Sequence, residues 1–249
     1  MLPILFLASR ADIFAIFQHL PTLLFATTSG LFAFLCILKA GNYMPVATSN
    51  SIRQAVLAVG ALILGWVYLN EYLSYAQLIV LSGIVLTAIG LSLSRSVHPH
   101  LDSTLLSRGI ALSVIAGIGH SITFFFFNQL SHEVNPFVAS YFWEVVIGFL
   151  ALFYMLALKA VGHFSANAVL SGKDATSLAL MSLLTIVGTV SYSMAVQHGP
   201  YALATALMPC GILFTLALGW YLFKEKLKPI QLALIATSTA LIAILRFVS

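Results

Sequence analysis

Three ionisable side chains stand inside long apolar stretches: Arg53 in "TSNSIRQAV", His120 in "AGIGHSITF" and Glu144 in "YFWEVVIG". A charge in hydrocarbon is costly unless it faces protein or water, so each is a candidate for function. Arg53 lies about eight residues into its apolar block, roughly 12 Å from that end at 1.5 Å per residue. Asn50, three residues back on a shared helical face, and Gln54 flank it. A guanidinium so placed can hold a substrate carboxylate through two hydrogen bonds; the competing reading is an internal pair with Glu144 or bonds to helix carbonyls. Glu144 is the only acidic residue at comparable depth, where a carboxyl could exchange a proton as the coupling ion or serve in a structural pair. His120, beside small residues, is a candidate proton relay or substrate ligand, against the alternative of a hydrogen-bonded structural histidine. Gln18 and His19 are candidates for the same cavity. Metal chemistry has little support: Cys36 and Cys210 lie far apart in apolar runs, and His98 and His100 flank a proline with no third ligand. No cofactor is expected.

The elements that must position these groups follow from composition. The chain has 249 residues, 61% of them hydrophobic and only 7% charged, which is too little polar surface to enclose a soluble core of that size. It reads as an integral membrane protein whose surroundings are the lipid bilayer. The net charge of +4 arises from a scarcity of all charges rather than from basic clusters, so no nucleic-acid partner is expected. A spanning helix takes roughly 20 apolar residues. Such blocks run at about 14–39, 46–69, 75–94, 107–129, 136–158, 175–197, 201–223 and 229–247, giving eight complete spans, with "MLPILFLAS" as the stub of another. Pro45, Pro136, Pro200 and Pro229 fall where helices begin, the position that tolerates a missing N–H. A strip of Gly109, Ser113, Gly117 and Ser121 recurs every four residues and reads as a close helix-packing face. Thr185, Thr189 and Ser193 repeat that spacing and could bond between helices. The rings of Phe124–Phe127 point to all sides of their helix, so some are expected to meet lipid.

Two segments are alike. "LGWVYLNEYL" at 64–73 and "LGWYLFKEKL" at 218–227 superpose with a constant shift, which places Gly65 on Gly219 and Glu71 on Glu225. Five spans separate the two glutamates, an odd number, so they emerge on opposite faces and the repeat is inverted. Each glutamate sits beside the start of the following helix, where the helix dipole favours a carboxylate, so the pair is expected to be structural. Lys39, Arg95, Arg108, Lys159, Lys173, Lys224, Lys226 and Lys228 gather on one face, against Arg10 and Arg246 on the other. That bias supports the alternation and places the C-terminus outside.

With Gly65, Glu71, Leu73, Gly83 and Gly90 in one half and Pro209, Gly219, Glu225 and Leu227 in the other, the chain resembles the drug/metabolite transporter superfamily, in particular the EamA-type permeases. The resemblance implies an all-α polytopic transmembrane helix bundle of two inverted five-helix repeats, 1–94 and 95–249. Against ten helices, the first repeat reads as lacking its first helix and most of its second, as in an N-terminally truncated chain. Family members commonly keep both termini in the cytoplasm, the opposite of what the loop charges favour. The implied function is secondary transport, the export of a small organic metabolite such as an amino acid or a drug-like compound by alternating access, in a bacterial inner (plasma) membrane. Protons are the candidate coupling ion. The alternative is a non-transporting or inactive truncated membrane protein. An enzyme is not expected, since no GxSxG, HExxH or Walker pattern occurs.

Overall fold

The computed structural model describes residues 10–44, 46–93, 103–162, 172–208 and 229–248, all helical or in short joints, with no strand among them. In chain order the helices are α1 (Arg10–Gln18), α2 (Leu20–Ala40), α3 (Val46–Leu69), α4 (Tyr75–Leu93), α5 (Ser103–Glu133), α6 (Pro136–Ala160), α7 (Gly172–His198), α8 (Tyr201–Ala206) and α9 (Pro229–Val248). Among the described residues four stretches are long and apolar enough to cross a membrane: Leu20–Ala40, Ile52–Leu69, Thr104–Glu133 and Pro136–Ala160. Tyr75–Thr87 and Pro229–Ile242 are shorter apolar helices. The helix expected over 14–39 is interrupted at His19, which separates α1 from α2.

Local chemistry sets several helix ends. Asn135 caps α6 by accepting the Phe137 N–H at 3.0 Å, with Pro136 at the first helical position. At the start of α4, Ser74 Oγ accepts from Gln77 N at 3.2 Å and Gln77 Oε1 accepts from Ser74 N at 2.8 Å, a reciprocal capping box. Asn70, at φ 53°, ends α3 in the left-handed region that asparagine tolerates better than most residues.

The chain divides into two compact units, Met1–Leu31 with Thr123–Gly199 and Phe32–Ile122 with Pro200–Ser249. Each draws on both halves of the sequence. Unit 1 has a core of Ile16, Leu23, Phe127, Leu130, Val138 and Trp143, drawn from α1, α2, α5 and α6. Here the four-phenylalanine run is covered in part. Phe125 and Phe127 are buried and Phe124 and Phe126 half-buried, because Phe124 meets Tyr192 at 5.0 Å, Phe126 meets Phe25 at 4.8 Å and Phe127 meets Trp143 at 4.5 Å.

Unit 2 packs differently. Its apolar cluster is Ala58, Val80, Leu81, Ile84 and Ala206, and α3 meets α5 along the predicted strip. Ser49 and Ser113 share a hydrogen bond at 2.9 Å, and Ser121 Oγ donates to Leu57 O at 3.3 Å. A methyl added at Gly117 would stand 2.5 Å from Val56 Cβ and 2.8 Å from Arg53 O. Backbones approach this closely only where a side chain is missing.

Candidate functional site

Arg53 lies on the α3 face that crosses α5. Its Nε and Nη2 both donate to Asn50 Oδ1, at 3.1 and 2.7 Å, so the asparagine one turn back grips one edge of the guanidinium and fixes its rotamer. Among the described residues the guanidinium has no carboxylate partner; the ion pair found there is His19–Glu133. Five N–H donors belong to an arginine side chain, and among the described residues two bonds from them are made to the protein. At the next position of α3, Gln54 Oε1 is buried without a hydrogen-bond partner. Consecutive positions of α3 thus carry a held cation with donors to spare and an unsatisfied acceptor.

His120, on α5 in the same unit, bonds through Nδ1 to Ala116 O at 2.9 Å, one turn back on its own helix, and lies within electrostatic reach of Arg53. Asn50, Arg53, Gln54 and His120 therefore belong to one compact unit. Glu144 belongs to the other, where Thr189 Oγ1 donates to Glu144 Oε1 at 2.6 Å across α6 and α7. Arg53 and Glu144 are each engaged within their own unit.

The α6–α7 and α5–α7 seams of unit 1 carry the hydroxyl bonds that the threonine and serine spacing suggested. Besides Thr189, Ser193 Oγ donates to Ser131 Oγ at 2.8 Å, and Gln197 Nε2 donates to Ser131 O. Ser131 and Gln197 were not singled out from the sequence; their contact joins residues 66 positions apart, which helical spacing does not reveal. Gln18 is exposed, and His19 Nδ1 pairs with Glu133 Oε2 at 2.6 Å beside the α1–α2 break, so His19 is engaged at a helix junction. Asn128 and Ser140 also keep buried oxygens without partners. Among the described residues no three His, Cys, Asp or Glu side chains gather as metal ligands.

Glu71 behaves otherwise than its sequence position suggested. The helix that follows it is capped by Ser74 and Gln77, and Glu71 turns instead to α8. Its Oε1 accepts from Tyr201 N at 2.6 Å and its Oε2 from Ala202 N at 2.8 Å. Proline at the cap position of α8, Pro200, brings no capping side chain, and Glu71 supplies the acceptors from 130 residues away. The motif glycine explains how it reaches. Glu71 N folds back to Gly65 O at 3.0 Å, and a methyl on Gly65 would stand 2.7 Å from Glu71 Oε2 and 2.9 Å from Ala202 Cβ. The Gly-x5-Glu spacing thus clears room for a carboxylate to cap a sequence-distant helix. Pro209, Gly219 and Glu225 lie outside the described residues, as do His98, His100 and Cys210.

An all-helical chain with apolar spans, buried polar side chains and this glycine–glutamate joint can be set beside known proteins. The family model described as EamA-like transporter family matches residues 107–247, more than half of the chain. The chain belongs to the EamA-like transporter family. It is accordingly an integral membrane protein, and the family consists of transporters. The match covers α5 to α9 almost entirely, whereas Arg53, Asn50, Gln54, Gly65 and Glu71 precede it. A comparison with curated proteins gives no match.

Proposed function

We propose that this EamA-like protein is a secondary transporter that exports a small zwitterionic metabolite, of the amino-acid class, across a bacterial inner membrane. Alternating access in a fold of two inverted repeats, 1–94 and 95–249, is the mechanism that family membership favours. The observation that carries the substrate class is the pairing of unused donors on Arg53 with the unsatisfied Oε1 of Gln54 at adjacent positions of α3. A carboxylate satisfies the first and an ammonium the second, and a buried acceptor left alone costs about 1–3 kcal/mol that such a ligand would recover. Asn50 orients the guanidinium, and His120 serves as a further polar contact. Glu144, hydrogen-bonded to Thr189, is the proton site in this reading, with a transmembrane proton gradient as the drive.

The test is efflux of preloaded amino acids from proteoliposomes with and without an imposed proton gradient. Wild-type protein should release a subset of them faster under the gradient. Arg53→Ala should abolish release under both conditions, and Glu144→Gln should abolish only the acceleration by the gradient. Wild-type rates from both variants would remove Arg53 and Glu144 from the mechanism.

A further inference from the structure

A second site lies in unit 2, on the seam between α3 and α4. Two clefts open along it. One, of about 460 Å³, is lined by aliphatic side chains such as Ala55, Val59, Val85 and Ile89, with Ser82 as its hydroxyl. The other, of about 500 Å³, is lined by Trp66, Glu71, Tyr72 and Tyr75 among aliphatic neighbours. Leu62 lines both, which makes them two stretches of one furrow.

The furrow changes character along its length. From Ala55 to Trp66 it follows about 16 Å of helix at 1.5 Å per residue. Half the hydrocarbon thickness of a bilayer is about 15 Å, so the aliphatic stretch has the reach of one leaflet's acyl chain. At its end the lining turns aromatic and acidic. Trp66, Tyr72 and Tyr75 are 61%, 77% and 88% exposed, at the joint where a polar Asn70–Ser74 segment replaces apolar residues. Trp and Tyr are favoured at the headgroup level, where one part of the ring meets hydrocarbon and the other water. Glu71 brings an acidic side chain to the lining, and among the described residues no Lys or Arg lines either cleft. Each of its oxygens accepts one backbone N–H, and a carboxylate has about four lone-pair positions, so acceptor capacity remains.

We propose that this furrow binds a phospholipid with a primary-amine headgroup, phosphatidylethanolamine. The ammonium lies against the Trp66, Tyr72 and Tyr75 rings and the Glu71 carboxylate, and one acyl chain runs along the aliphatic stretch. An ammonium carries three donors and is attracted to aromatic faces, whereas a headgroup with net negative charge would meet Glu71 uncompensated. The inference rests on neither Arg53 nor transport.

Native mass spectrometry of protein released from membranes containing equal phosphatidylethanolamine and phosphatidylglycerol tests it. Wild-type protein should retain phosphatidylethanolamine about tenfold over phosphatidylglycerol, the discrimination expected of one desolvated cation–π and carboxylate contact. Tyr72→Ala combined with Tyr75→Ala should erase the preference, and so should Val59→Trp, which fills the aliphatic stretch; all three positions are exposed, so folding, checked by thermal unfolding, should be retained. Equal retention of the two lipids by wild-type protein, or a preference that survives both variants, would overturn the proposal. Displacement of the lipid by free ethanolamine at equal concentration would also overturn it, assigning the site to a soluble amine.

Discussion

In unit 1, Phe127 is wholly buried, with its ring centroid 4.5 Å from that of Trp143 and 6.1 Å from that of Tyr192. In unit 2, the corresponding role falls to positions with almost no side chain. Methyls added at Gly60, Gly65, Gly109 and Gly117 would each come within 3.0 Å of a neighbour, while in unit 1 a methyl at Gly30 would stand 3.2 Å from Thr123 Cγ2 and Gly148 and Gly188 have nothing within 4 Å. The difference follows from what drives association in lipid. Apolar side chains gain little by leaving hydrocarbon, so helices join either by large interlocking surfaces or by backbone approach through small residues. Unit 1 relies mainly on the first, with one close approach at Gly30, and unit 2 on the second. A consequence is that unit 2 brings backbone and polar side chains close together, and there Arg53, Asn50, Gln54 and the Glu71 cap are found.

Substitutions can break this comparison, beginning with the largest. Phe127→Ala in unit 1 should cost about 3–5 kcal/mol, the range for emptying a buried aromatic site, read as a fall in thermal unfolding temperature in detergent. A loss under 1 kcal/mol would mean that the rings fill space without holding the unit. In unit 2, Glu71→Ala strips the acceptors from Tyr201 N and Ala202 N and should cost about 2–3 kcal/mol, with Glu71→Gln recovering part of it through its remaining carbonyl. Gly117→Ala should cost about 1–3 kcal/mol, because Val56 and the Arg53 carbonyl must move aside. The same change at Gly148 sharpens the contrast: with open space around it, Gly148→Ala should be neutral or stabilise by up to about 1 kcal/mol through helix propensity. If the two alanines behave alike, the distinction between the units is lost.

The sequence made some of this legible and hid the rest for physical reasons. Local features came through. The α3 and α6 blocks read as 46–69 and 136–158 match Val46–Leu69 and Pro136–Ala160 closely. The Gly109–Ser121 strip, Asn50 beside Arg53 and the bonding of Thr189 and Ser193 all follow from i, i+3 and i+4 spacing. What depends on a partner elsewhere in the chain did not come through. Nothing near Glu71 announces that its carboxylate will serve Tyr201, and the Ser-x-x-Gln box that frees it for that task passed unnoticed at Ser74–Gln77. The break at His19 does carry a local marker, Pro21 in the first turn of α2, whose ring and missing N–H cannot continue α1, whereas the imidazole contact to Glu133 joins distant residues. At Phe124–Phe127 periodicity points rings to all sides but cannot show which of them Phe25, Trp143 and Tyr192 meet.

The central claim is that Arg53 with Gln54 forms a zwitterion site, and counterflow tests it most directly because exchange of labelled for unlabelled amino acid needs the site but no ion gradient. In proteoliposomes matched for folded protein, Arg53→Ala should lower exchange by about 10- to 100-fold, corresponding to one charge-assisted contact of about 1.5–3 kcal/mol. Glu144→Gln should leave exchange intact. Exchange by Arg53→Ala at the wild-type rate would contradict the account.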